Sequence, residues 1–149
     1  VSTLEFDRDR KMMSVIGKRK GQSILFTKGS PEAVLLRCTR VLTNSKGIVE
    51  PISTQVRDAL TEKYRTYARR SLRVLALAMR PIPSDQCHIS PSDETGLTFL
   101  GFCGMLDPPR PEVKRAVDVC RGAGIRVVMV TGDNKLTAEA IAKQIGLDD

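Results

Sequence analysis

The sequence contains no tryptophan, one histidine and few aromatics, which make up 4% of its residues. With His88 as the single imidazole, and no Cys-x-x-Cys pair among Cys38, Cys87, Cys103 and Cys120, a zinc site of ordinary ligand spacing is excluded. The four cysteines are expected to be reduced and mostly buried. One histidine also leaves no Ser/His/Asp arrangement to assemble. No uninterrupted apolar run approaches the roughly 20 residues that a membrane helix requires. Neither Asn-x-Ser/Thr nor Gly-x-x-x-x-Gly-Lys-Ser/Thr occurs, and Gly122-Ala123-Gly124 precedes an expected strand instead of following one, which disfavours Walker and dinucleotide folds. There is no initiator Met and no signal pattern, and Val1-Ser2-Thr3-Leu4-Glu5-Phe6 reads as the interior of a strand, so a piece of a longer chain is expected.

What is present is ordinary globular material. Hydrophobic residues at 41% against 28% charged exclude a disordered chain. The net charge of +7 invites a polyanion, whether nucleotide, nucleic acid or acidic membrane surface, without choosing among them. Cations gather at Arg8, Arg10 and Lys11 and again at Lys18-Arg19-Lys20, where Gly21 marks a hairpin tip.

Periodicity divides the chain near Asp107, where Pro108, Pro109 and Pro111 stiffen a connection that reads as a hinge. Before it, residues 12–16 and 23–28 form an expected hairpin, and Ser30-Pro31-Glu32 opens a helix with a capping hydroxyl, a proline at the first position and an acid at the positive end. Two short strands are expected around Asn44-Ser45-Lys46-Gly47. A longer helix follows from Ser53, with Val56, Leu60, Tyr64 and Tyr67 on its apolar side and Arg57, Glu62, Lys63 and Arg65 facing water. Residues 72–79 read as an inner strand, and 81–96 as a long loop, mobile or variable. The second part reads strand (97–105), helix (112–123), strand (125–130), helix (135–145), an alternation that predicts a parallel sheet, with the alternative that the first of these strands belongs to the other half.

Ligands in such sheets collect at carboxyl ends of strands, and Thr131-Gly132-Asp133-Asn134 stands at one, leading into a helix. Thr131 offers a hydroxyl, Gly132 admits close backbone approach, and Asp133 either orients a lysine or a metal-bound water or caps the helix. Lys28, at a strand end before Gly29-Ser30-Pro31-Glu32, can meet a triphosphate or the polar edge of adenine. Phe6, with Arg8 and Lys11 close by, is either a stacking surface with a cationic rim or a core ring.

Five stretches, in order, resemble one family. Phe6-Asp7-Arg8-Asp9-Arg10-Lys11 with Met13-Ser14-Val15 is similar to the adenine-pocket strand of sarco/endoplasmic-reticulum-type calcium ATPases, which are P-type cation pumps. Lys28-Gly29-Ser30-Pro31-Glu32 resembles their nucleotide-domain signature, with Ser30 where Ala is usual. Leu72-Arg73-Val74-Leu75 resembles the strand bearing a phosphate-contacting arginine, Leu106-Asp107-Pro108-Pro109-Arg110 the hinge, and Val130-Thr131-Gly132-Asp133-Asn134 the loop of the phosphorylation domain.

The resemblance implies an α/β fold: an α+β nucleotide-binding domain with an antiparallel sheet over residues 1–106, joined at 107–149 to part of a Rossmann-like, HAD-like parallel α/β phosphorylation domain. It implies that Phe6 stacks on adenine, that Lys28 and Gly29 line the purine pocket, and that Arg8 and Lys11 border the nucleotide. Arg73 would reach the phosphates with Leu75 packed nearby. Thr131 and Asp133 would be the catalytic pair, with Gly132 between them; Thr131 would bind the transferred phosphoryl and Asp133 organise the Mg-ATP end. Asp107 and Arg110 would tie the hinge. ATP and Mg2+ are the implied cofactors, with the magnesium ligands mostly outside this chain and no metal ligand assigned within it. The implied partners are the rest of the pump, with its membrane domain, and Ca2+; no nucleic acid is expected. The parent would lie in the endoplasmic reticulum or another endomembrane, with this segment facing the cytosol. The family's phosphorylated aspartate belongs to an Asp-Lys-Thr-Gly-Thr motif that this sequence lacks, so nucleotide binding without turnover is expected of the chain alone. Two alternatives are a standalone HAD-like phosphatase, whose nucleophile Asp107 would be poorly served by Pro108-Pro109, and a basic nucleic-acid-binding module, which the few aromatics disfavour.

Overall fold

The computed structural model describes residues 2–43, 47–106 and 108–147; the expected turn at Asn44-Ser45-Lys46 and Asp107 of the expected hinge lie outside the described residues. The element order is β1 (Thr3–Asp7), β2 (Met12–Arg19), β3 (Gln22–Gly29), α1 (Pro31–Arg37), β4 (Cys38–Leu42), β5 (Val49–Pro51), α2 (Thr54–Ala68), β6 (Leu72–Pro81), a 3-10 turn (Pro91–Asp93), β7 (Leu97–Leu106), α3 (Pro111–Gly122) and α4 (Lys135–Gln144). The chain divides into two compact units, residues 1–61 with 75–103, and residues 62–74 with 104–149. The division passes through α2, β6 and β7.

The first unit is built on a seven-stranded sheet in the order β1-β2-β3-β6-β7-β4-β5. β2 and β3 pair antiparallel over their whole length, Met12 opposite Gly29 and Arg19 opposite Gln22. Their two-residue turn, Lys20-Gly21, has positive φ at both positions (49° and 79°), the geometry whose twist matches that of the flanking strands. β3 continues antiparallel to β6, which therefore lies inside the sheet as its composition predicts, while β4 runs parallel to β7. One face buries Met12, Ser14 and Ile16 of β2, Leu25 and Thr27 of β3, and Ala76 and Ala78 of β6. Val34 and Leu35 of α1 join the core. α1 starts as expected: Ser30 accepts from the Ala33 amide at 3.3 Å and Pro31 follows.

Three local expectations are corrected. Arg57 does not face water: its guanidinium donates to the Leu35 carbonyl, which also takes the Cys38 amide, and, at 3.0 Å, to the Cys38 carbonyl where α1 passes into β4. The thiols are free, but only Cys38 is buried; Cys87 and Cys103 are exposed and Cys120 is intermediate. Burial pushes the Cys38 thiol up to about 12, with Arg57 acting weakly the other way. The 81–96 loop is anchored. Its Ser90 and Asp93 form a capping box, Asp93 lies 3.6 Å from Arg80, and Glu94 is fully buried. The Ser90 backbone amide, and after it the Ser90 hydroxyl, hold the Asp93 carboxyl below the usual range.

The second unit holds α3, α4 and the segment between them. The strand expected over 125–130 does not form. Its residues keep the alternation of a strand, Val127 and Met129 half-buried and Val128 and Val130 exposed, and Val130 is 93% exposed. A ladder needs a neighbour to take its amides and carbonyls, and among the described residues of this unit only the ends of β6 and β7 are strand. On its inner side the segment borders a groove of about 450 Å³ with Val117 of α3 and Ala138 and Ala142 of α4.

Candidate functional site

The residues singled out in the sequence fall into two groups. Phe6, Arg8, Lys11, Lys28, Gly29 and Leu75 belong to the first unit; Arg73, Thr131, Gly132 and Asp133 belong to the second.

In the first group, sheet register does the positioning. Leu4 opposes Ser14 and Asp7 opposes Met12, so β1 carries one extra residue between them, a bulge that takes Glu5 and Phe6 out of regular alternation. The Phe6 ring is 61% exposed and is not a core side chain. The turn after it is tightly determined. Asp7 accepts from the amides of Asp9 (3.0 Å) and Arg10 (2.8 Å), and the Lys11 amide donates to the Asp7 carbonyl at 2.7 Å. Lys11 thereby sits at φ 55°. On the other side of β2, Gly29 comes so close that a Cβ there would lie 2.5 Å from both the Lys11 carbonyl oxygen and Met12 Cβ. The Ser30 amide donates to that same carbonyl at 2.9 Å. Lys11 and the Lys28-Gly29-Ser30 corner are thus joined through the backbone. Lys28, opposite Met13 and Leu77, shares their face of the sheet, away from buried Met12 and Ser14. Leu75 is half-buried at the point where β6 enters this unit. Among the described residues no ring contact or hydrogen bond links Phe6 to Lys28.

The cations of this region divide by task. Arg8, Lys11 and Lys28 are exposed and enter no ion pair among the described residues, whereas Arg10 is committed inward. Its Nη1 donates to both carboxylate oxygens of Glu94, at 2.7 and 2.6 Å, and its Nη2 donates to the Glu5 carbonyl at 2.6 Å. Ser14 Oγ donates to Glu94 Oε1 at 2.7 Å. Since that uses the single Ser14 proton, the 2.8 Å contact between Ser14 and Thr27 has the Thr27 hydroxyl as donor. Glu94 is wholly buried and Arg10 nearly so, and stripping one partner from such a pair costs about 3–5 kcal/mol. Sequence reasoning passed over Glu94, which stands in a segment of turn formers; no signal in the sequence separates it from a solvated loop acid.

In the second group, Arg73 and Asp133 meet, Nη2 lying 2.7 Å from Oδ1 and 3.0 Å from Oδ2. The helix cap is Asn134, which accepts from the Leu136 amide at 2.9 Å, so Asp133 is left for the arginine. The Asp133 amide donates to Thr131 Oγ1 at 3.1 Å. A Cβ at Gly132 would meet nothing within 4 Å, so packing does not demand glycine there. Thr137 Oγ1 donates to the Leu72 carbonyl at 3.2 Å and Gln144 Nε2 to Ser71 Oγ at 2.7 Å, fixing α4 against the residues around Arg73.

The donor set can be tested against the nucleotide and metal that the resemblance implies. An exposed aromatic ring beside uncommitted ammonium and guanidinium groups fits an anionic purine nucleotide. A resident magnesium ion is not provided for: no group of three or more candidate ligands exists among the described residues, and Asp133 is already paired. Nor is any helix among them long and apolar enough to cross a membrane.

The family model for the P-type ATPase cytoplasmic domain N matches residues 1–112. An endoplasmic reticulum-type calcium-transporting ATPase 3 of Arabidopsis thaliana is 47% identical over all of this chain and 15% of its own length. An endoplasmic reticulum calcium ATPase of Aspergillus fumigatus is 41% identical over 99% of the chain and 16% of its own length. A calcium-transporting ATPase 1 of Lactococcus lactis is 37% identical over 95% of the chain, again 16% of its own length. The chain spans about one-sixth of the length of these relatives. With a family match over three quarters of its residues, and a mixed α/β fold built on a seven-stranded sheet, this chain belongs to the P-type ATPases.

Proposed function

We propose that the chain is the nucleotide-binding part, with a portion of the phosphorylation domain, of a P-type ATPase that couples ATP hydrolysis to calcium transport across an endomembrane. Residues 1–106 form the nucleotide-binding domain and 107–149 belong to the phosphorylation domain, with the segment facing the cytosol. The carrying observation is the corner where exposed Phe6 stands beside the turn bearing Arg8 and Lys11, a turn bonded through the Lys11 carbonyl to Lys28-Gly29-Ser30. The names of the relatives support the transported ion.

In this reading Phe6 stacks on the purine, Lys28 and Gly29 form the pocket wall, and Arg8 and Lys11 screen negative charge at its rim. Arg73 holds phosphate oxygens and Leu75 supports its strand. Thr131 donates to the transferred phosphoryl group, Gly132 leaves room for it, and Asp133 orients the phosphate end. Arg110, with Asp107, ties the hinge. Mg2+-ATP, when bound, supplies the phosphoryl group and the neutralising charge; the chain's own residues bind, orient and screen.

Titration of the protein with ATP, ADP and short DNA, repeated with Phe6→Ala and Lys28→Ala, tests the reading. Adenine-nucleotide binding weakened in both variants is expected. DNA binding that is salt-sensitive and indifferent to Phe6→Ala would replace it with a nucleic-acid module, and turnover of a simple phosphate ester with a phosphatase.

A further inference from the structure

We propose that Glu94 is a positioning residue of the nucleotide site, acting through Arg10 to hold the turn that presents Phe6, Arg8 and Lys11. This rests on the nucleotide reading of that corner. Glu94 is the only wholly buried carboxylate among the described residues, and its oxygens take three hydrogen bonds of 2.6–2.7 Å from two side chains. One of those side chains, Ser14, is on β2 and is itself held by Thr27 of β3. The other, Arg10, is in the turn, and its second nitrogen reaches back to the Glu5 carbonyl inside the β1 bulge. Arg37 donates to the Glu94 carbonyl at 3.4 Å, so the acid's own backbone is anchored. The carboxylate therefore joins three things: the bulge that sets Phe6 apart, the turn that carries Arg8 and Lys11, and the strand pair that ends in Lys28.

A charge with no route to solvent, held by one guanidinium, fixes a turn more tightly than a surface pair, because leaving the arrangement strands it. The arrangement also explains why one of four adjacent charged residues, Arg8-Asp9-Arg10-Lys11, is withheld from solvent while its neighbours are exposed. Arg10 is spent on geometry so that Phe6, Arg8 and Lys11 are presented without reorganisation.

The test is nucleotide affinity in the full-length protein, read by displacement of a trinitrophenyl adenine nucleotide. Glu94→Gln keeps the size and loses the charge; it is expected to weaken AMP, ADP and ATP alike by about tenfold, because the turn serves the base end shared by all three. The KM for ATP rises while turnover at saturating ATP is kept. Arg10→Met is expected to have a similar effect, and the double variant to be no worse than either, since both break one bond network. Asp93→Asn, next door but tied only within the loop and to Arg80, leaves affinity unchanged. Unchanged affinity in Glu94→Gln, or additive losses in the double variant, overturns the proposal. Failure of AMP, ADP and ATP to displace the probe from the unmutated protein overturns the site reading instead, and the proposal with it. If Glu94→Gln does not fold, Ser14→Ala and Arg10→Lys carry the same comparison, with the same affinity loss expected and unchanged affinity overturning it.

Discussion

Arg73 and Asp133, 60 residues apart in sequence, are joined by an ion pair whose shortest distance is 2.7 Å. The arginine is the second residue of β6 and the aspartate immediately precedes the cap of α4, so the two residues that we propose for the phosphate end of a nucleotide lie within one compact unit. The pair is largely open to water, with side-chain exposures of 58% and 24%, and such pairs contribute about 0–1 kcal/mol. Arg73→Ala is accordingly expected to shift thermal stability by less than about 1 kcal/mol while lowering affinity for ATP in the full-length protein about tenfold more than affinity for AMP. Equal losses for the two nucleotides would remove Arg73 from the phosphates.

Phe6→Ala separates binding from folding. A ring exposed this far contributes little to the core, so the melting temperature should barely change. Stacking of an aromatic ring on a base is worth about 1–3 kcal/mol, which predicts adenine-nucleotide affinity roughly 5- to 150-fold weaker. A titration in which Phe6→Ala and the unmutated protein superimpose would show that the ring is not at the base.

Gly29 is a packing requirement. Its hypothetical Cβ meets backbone, not the tip of a flexible side chain, so relief requires the β2 and β3 strands to separate. Gly29→Ala should destabilise the fold by about 1–3 kcal/mol, measured by denaturant midpoint, and should disturb Lys11 and Lys28 together. A neutral result would mean that the corner is looser than its register implies.

Cys38 gives a pH signature. Its folded-state thiol is raised to about 12 from an ordinary 9.0, so folded and unfolded chains bind the same proton below pH 9, and only the folded chain keeps it above. The stability that burial of the neutral thiol provides is therefore complete below pH 9 and falls by about 1.4 kcal/mol per unit between about 9 and 12. Cys38→Ala should lack this part of the alkaline loss. In the native protein at pH 8, alkylating reagents are expected to modify Cys87 and Cys103 and to reach Cys38 only on unfolding; early labelling of Cys38 would contradict its burial.

Much of this was legible in the residues because the signals were local. Lys20-Gly21 between alternating runs marks its hairpin, Ser30-Pro31-Glu32 marks its helix start, and the largely apolar content of 72–79 marks an inner strand. What was not legible depends on distant partners. Residues 125–130 carry strand composition and strand alternation, yet pairing is a property of neighbours and not of the segment. Arg57 has the spacing of a solvent-facing residue, and only the place where α1 ends shows that it caps carbonyls. Glu94 sits among prolines, serines and a glycine that announce a loop, and nothing near it in sequence reveals an arginine waiting far upstream.

That separation has a consequence for how the protein is made. Arg10 leaves the ribosome 84 residues before the carboxylate that holds it, an interval of about 4–17 s at ordinary rates of synthesis. Until Glu94 arrives, the nascent hairpin can pair its strands, but of Arg10's two carboxylate partners it has just Asp7, whose Oδ1 lies 3.9 Å from Arg10 Nε. The corner that we propose for the nucleotide is therefore finished late, by a residue wholly buried beneath it.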